Sequence, residues 1–86
     1  MLRLAVATQT PLEALLIIDG NITVDQLPLL TGEIRRCRQR SATLILMLDG
    51  VAHIDPEGLA LLQQWCARGV ALRGGTPFLR ALLRGE

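Results

Sequence analysis

The stretch Leu44-Ile45-Leu46-Met47-Leu48-Asp49-Gly50-Val51-Ala52-His53-Ile54-Asp55-Pro56-Glu57-Gly58-Leu59-Ala60-Leu61-Leu62 decides the fold. Residues 43–48 form an apolar run with turn signals on both sides. The spacing predicts a strand buried on both faces, in the middle of a sheet covered by helices. Asp49-Gly50 ends that strand, and residues 51–54 form an extended hinge. Asp55-Pro56-Glu57-Gly58 then reads as a helix start: Asp55 caps free amides, Pro56 suits the first helical position, and Glu57 favours the positive end of the dipole. The helix runs to about Arg68, where Gly69 supplies a stop. Leu59, Leu62, Trp65 and Cys66 make its buried arc, with Leu61 at the edge. Gln63, Gln64 and Arg68 face water.

Upstream, residues 2–8 alternate as a first strand ended by Gln9-Thr10-Pro11. Residues 13–19 contain Ala14-Leu15-Leu16-Ile17-Ile18, a second strand stopped by Asp19-Gly20-Asn21. A helix over residues 24–39 follows, with Leu27, Leu30, Ile34 and Cys37 on one arc, Pro28 in the first turn and Asp25 as N-cap. Arg35, Arg36, Arg38 and Arg40 crowd its last turns, where cations complement the dipole. Arg36 and Arg40 share the solvent face with Leu29. Downstream, residues 70–73 form a short strand. Gly74-Gly75-Thr76-Pro77 is a turn with a Thr cap, opening a last helix with Phe78, Leu79, Leu82 and Leu83 inward. The order is β-β-α-β-α-β-α: one α/β domain over residues 1–86, built on a single mixed sheet with helices packed mainly on one face.

Composition narrows the function. The chain has 86 residues, enough for one domain of this kind, and a domain of that size buries only ~60–65% of its unfolded surface. Half the residues are hydrophobic, yet Trp65 and Phe78 are the only aromatics, so the core is aliphatic. A net charge of +1 gives no whole-molecule field for nucleic acid or acidic membranes. Every basic residue is Arg, which removes a lysine nucleophile. Cys37 and Cys66 are too few for a disulfide scaffold and too far apart for a metal motif; both are expected as buried thiols. No basic region followed by an apolar core opens the chain, and no apolar run approaches the ~18 residues of a membrane span. A cytoplasmic protein with no direct membrane insertion is expected.

The quoted stretch resembles the signature of the STAS domain, shared by sulfate transporters and anti-sigma-factor antagonists: an apolar strand, a hinge, an Asp-Ser-Ser-Gly-like turn and a Leu-rich helix. Leu16-Ile17-Ile18-Asp19-Gly20-Asn21-Ile22 is similar to the family's strand ending in Gly-Glu-Leu-Asp, and the segment from Val70 to Leu83 to its strand, cap and helix. The resemblance covers most of the chain from about Leu15 onward. It implies a bacterial, regulatory, non-enzymatic module that binds a protein partner, either an anti-sigma kinase-like protein or a transport ATPase. Docking is expected through Asp55, Pro56, Glu57, Gly58 and Leu61, together with Asp19, Asn21 and Thr23. Three departures stand out. Pro56 occupies the position of the family's phosphorylated serine and has no hydroxyl. Thr23 stands where the family has Asp. The chain ends soon after the third helix, where larger members add a strand and another helix.

Other constellations are weaker. His53 lies two residues before Asp55 in extended backbone, so both side chains share one side. Without a second His or a nucleophile, however, it reads as a strand-end residue with one hydrogen-bond partner. No metal site, cofactor or catalytic set is expected. The arginine cluster lacks interleaved aromatics and reads as a solvated helix end, not a nucleic-acid surface. Gly74-Gly75-Thr76 is a turn lacking the Lys and length of a phosphate loop. The alternatives to an anti-sigma-factor-antagonist-like module are an accessory subunit of an ABC-type lipid or efflux complex and a small-molecule sensor with an apolar cleft. Self-association as a homodimer stays open.

Overall fold

A computed structural model describes residues 1–84. Strands β1 (Leu2–Gln9), β2 (Glu13–Ile22), β3 (Thr43–Ile54) and β4 (Ala71–Arg73) form one sheet in the order β1-β2-β3-β4. β1 and β2 are an antiparallel hairpin; β2, β3 and β4 run parallel. Helix α1 (Leu27–Arg40), entered through a 3-10 turn at Val24–Gln26, crosses from β2 to β3. Helix α2 (Pro56–Ala67) crosses from β3 to β4, and α3 (Pro77–Leu83) follows β4. Both crossovers step the same way across the sheet, so the right-handed rule puts both helices on one face.

That face holds the core. Ala14, Leu16 and Ile18 of β2 and Leu44, Leu46 and Leu48 of β3 recur with the period of two. They meet Leu30, Ile34 and Cys37 of α1, Leu62 and Trp65 of α2, and Leu79 of α3 in one buried cluster. Leu16, Ile18, Ile22, Leu30, Ile34, Leu46 and Leu62 are all 0% exposed, and complete burial of such a side chain stabilises by roughly 1.5–3 kcal/mol. The mixed sheet with helices on one face is therefore as expected. The expectation that β3 is covered by helices on both sides is corrected. Ile45 is buried, but it and the half-buried Met47 point away from the helical core, flanked by Leu15, Ile17 and Ala71 of neighbouring strands. The apolar run reflects a central strand in a sheet with one helical layer.

Several boundaries move outward. β2 does not stop at Asp19-Gly20-Asn21, and β3 does not stop at Asp49-Gly50. Both continue to Ile22 and Ile54, paired in parallel through register shifts between Ile17 and Asp19 and between Gly20 and Asn21. Gly20 adopts φ +94, and a side chain there would collide with the Met1 carbonyl. A glycine that looks like a turn thus serves as an irregularity inside a strand. Asp25 does not cap α1; Thr23 precedes the 3-10 turn, and its hydroxyl donates to Asp25 Oδ1 at 2.6 Å. Cys66 is exposed, whereas Cys37 is buried as expected. Phe78 is 74% exposed and not inward-facing. Gln63 does not face water alone; its amide donates to the Leu82 and Leu83 carbonyls at the end of α3.

Candidate functional site

The carboxyl ends of β2 and β3 lie side by side, and the loops leaving them are knitted together. Asn21 and His53 are register partners, as are Ile22 and Ile54. The Asp55 amide donates to the Ile22 carbonyl at 2.9 Å. Asp55 makes no side-chain cap to its own helix, contrary to the expectation. Its two oxygens reach sideways instead: the Val24 amide donates to Oδ2 at 3.0 Å, and His53 Nε2 lies 2.9 Å from Oδ1. His53 thus has the single partner, on the shared side, that its spacing anticipated. The His53 hydrogen bond, followed by the one from Val24, holds the Asp55 carboxyl below its ordinary range.

Gly58 is buried beneath this platform. A Cβ there would sit 2.7 Å from the Ile22 Cγ2 methyl and 3.2 Å from Ile54 Cγ1. Of the expected docking residues, Gly58 therefore permits the close approach of α2 to the strand ends and presents no surface of its own. Pro56 and Glu57 are exposed; Asp19, Asn21, Thr23 and Asp55 are half-buried at the same end. Leu61 is half-buried and packs against the core from the flank of α2.

Asp49, further back along β3, is employed elsewhere. Its Oδ1 accepts from the Gly75 amide at 3.0 Å. Gly74 and Gly75 have φ of +72 and +85, and a side chain on Gly74 would strike the Asp49 carboxylate. The turn thus receives an internal carboxylate, which accounts for the glycines. Among the described residues, no group of three or more His, Cys, Asp or Glu is placed to hold a metal ion. No described helix is long and apolar enough to cross a membrane.

Two features lay beyond sequence reasoning. Phe78 stands at the rim of a cavity of about 240 Å³ with Val51, Ala52, His53, Ile54, Leu79 and Leu82, beside the Asp55 turn. Only the packing of α3 against the end of β3 reveals it. The second is a gathering of acidic residues at this end. Asp19, Asp25, Asp49, Asp55 and Glu57, five of eight acidic residues, lie in the carboxyl-terminal halves of β2 and β3 or just beyond them, where Arg3, Arg73 and Arg80 also lie. Net charge conceals this.

No protein-family model and no curated protein matches the chain. Among solved structures, it is similar to the anti-sigma factor antagonist SpoIIAA in its unphosphorylated form. The TM-score is 0.73 at 13% identity, over 98% of this chain and 84% of that one. The chain has the STAS fold of that antagonist, as the sequence motifs implied.

Proposed function

We propose that this protein is a non-enzymatic docking module of the anti-sigma-factor-antagonist kind that works without a serine switch. Its partner is gripped at the carboxyl end of the parallel strands, the end at which open α/β sheets present ligand sites. The observation that carries the reading is the Asp55 turn. The Asp55 amide donates to the Ile22 carbonyl and its carboxylate accepts from the Val24 amide, while Pro56, Glu57 and the 74%-exposed Phe78 are left facing outward. An exposed aromatic beside preorganised acidic groups is a chemically sensible anchor for a protein surface that is basic at its edge. SpoIIAA is named for antagonising an anti-sigma factor; a kinase-like anti-sigma factor or a transport ATPase is the corresponding partner class here. The chemistry of Pro56 makes docking at this turn constitutive, with Glu57 as a fixed charge where relatives carry an adjustable one.

The test is titration of purified candidate partners from the same genome, a kinase-like anti-sigma factor and a transport ATPase, by calorimetry. Binding of one of them, lost in Phe78→Ala and weakened in Glu57→Lys, supports the reading. Binding unaffected by both substitutions overturns it. Incubation with a cognate anti-sigma kinase and ATP is expected to leave the intact mass unchanged. Pro56→Ser alone is expected to leave it unchanged too, because the kinase must recognise the surrounding surface; a clean phosphate adduct would contradict this.

A further inference from the structure

The end opposite the docking site has a character of its own. There the β1–β2 turn projects Leu12, 78% exposed, with Pro11 and Thr10 also exposed. The turn is held firmly. Thr10 Oγ1 accepts from the Glu13 amide at 3.0 Å, the Ala42 and Thr43 amides donate to the Pro11 and Leu12 carbonyls at 2.9 and 3.0 Å, and the Ser41 hydroxyl donates to the Thr10 carbonyl. These bonds tie the tip to the segment that follows Arg40. The last turns of α1 and the end of α2 add five exposed arginines at this end: Arg35, Arg36, Arg38, Arg40 and Arg68. Arg38 and Arg68 flank Trp65, with guanidinium carbons 5.6 and 5.3 Å from the ring centroid, and Arg38 also donates to the Arg68 carbonyl. Among the described residues, Arg36 pairs with the Glu33 carboxylate at 3.0 Å. Among the described residues, Glu13 is the other acid nearby, so described cations exceed described anions at this pole.

We infer that this pole, with Leu12 as an apolar tip among Arg35, Arg36, Arg38, Arg40 and Arg68, rests on the surface of an anionic lipid bilayer. A protruding leucine gains free energy by entering the acyl boundary, and each guanidinium near an anionic leaflet adds attraction that salt screens. The same leucine gains nothing against a phosphodiester backbone. No exposed aromatic offers base stacking either: Trp65 is buried, and Phe78 lies at the far end. The twelve-residue β3 runs from this pole, at Thr43, to the Asp55 turn. A molecule seated on lipid in this way presents the Asp55 turn and Phe78 away from the membrane. This inference does not depend on who the docking partner is.

Co-sedimentation of the full chain with phosphatidylglycerol–phosphatidylcholine vesicles and with pure phosphatidylcholine vesicles tests it. Binding to the anionic vesicles alone is expected, weakening steeply with added salt. Arg35→Gln with Arg40→Gln is expected to reduce affinity about 25-fold, from about fivefold per arginine. Leu12→Asp is expected to reduce it about tenfold or more, with unchanged circular dichroism because the side chain is exposed. Phe78→Ala is expected to leave vesicle binding untouched, which separates this surface from the docking site. Equal binding to both vesicle types, no binding to either, or a DNA oligonucleotide bound more tightly than the anionic vesicles overturns the inference.

Discussion

Asp55 uses each carboxylate oxygen for a different neighbour, His53 and the Val24 amide, so its ionised form is what holds the two loops together. A carboxyl whose folded pKa is depressed contributes stability above its unfolded pKa, about 3.9, and loses it as pH falls through the lower folded value. Asp55→Asn, which mimics the protonated form, is therefore expected to lower the urea midpoint at pH 7, and the gap from wild type should close as the buffer is taken below about pH 4. A gap independent of pH would show that the charge of Asp55 does not matter to the fold. Thr76 offers the contrasting case. Its Oγ1 accepts from the Leu79 amide at 3.1 Å as an ordinary N-cap, so Thr76→Ala is expected to cost about 1 kcal/mol in chemical denaturation. In sequence, both residues carry the signature of an N-cap. Local preference is the same for Asp and Thr, and only the neighbouring loop, absent at Thr76, diverts the Asp55 side chain.

At the scale of the element, α2 is positioned by what its first turn lacks. Glycine near a helix start is ordinarily a small liability, and Ala there would gain a few tenths to about 1 kcal/mol of helix propensity. Here the added Cβ meets the Ile22 methyl, which is β-branched and 0% exposed and so has no room to yield. Overpacking of this kind costs about 1–3 kcal/mol. Gly58→Ala is accordingly expected to destabilise the protein by about 1–2 kcal/mol net, read from the denaturation midpoint; a stabilised variant would mean that α2 stands off the strand ends. The periodic signals that located α1, α2 and the central strand are strong because burial repeats along the element. The bulged ends of β2 and β3 look like turns in the sequence. Asp-Gly pairs are frequent in both settings, and only pairing with a neighbouring strand tells them apart.

For the molecule as a whole, stability comes from one aliphatic layer between sheet and helices, and Leu46 is at its centre. Leu46→Ala is expected to cost about 2–5 kcal/mol, a large share of the 5–15 kcal/mol that holds a typical domain together, and thermal denaturation measures it. Phe78→Ala, by contrast, is expected to leave stability within about 0.5 kcal/mol of wild type, because the ring is 74% exposed. If removing it destabilised the fold substantially, the ring would belong to the core and not to a docking surface. The gathering of five acids at one end and of five arginines at the other is likewise a property of the whole molecule. The arginines at the end of α1 sit where the helix dipole favours them. The acids collect where loops leave the parallel strands, and the two groups face apart because β3 runs between them.

From the amino acids alone came the order of elements, the central place of β3, the Asp55-Pro56 helix entry and the family likeness, since hydrophobic period and turn chemistry are written locally. Tertiary structure alone decided which face of the sheet is covered, that Asp55 braces a loop instead of its helix, that Gly58 lies buried, and that Phe78 and Leu12 stand exposed at opposite ends. Each of these depends on atoms distant in the chain coming within a few ångströms, and no periodicity encodes that.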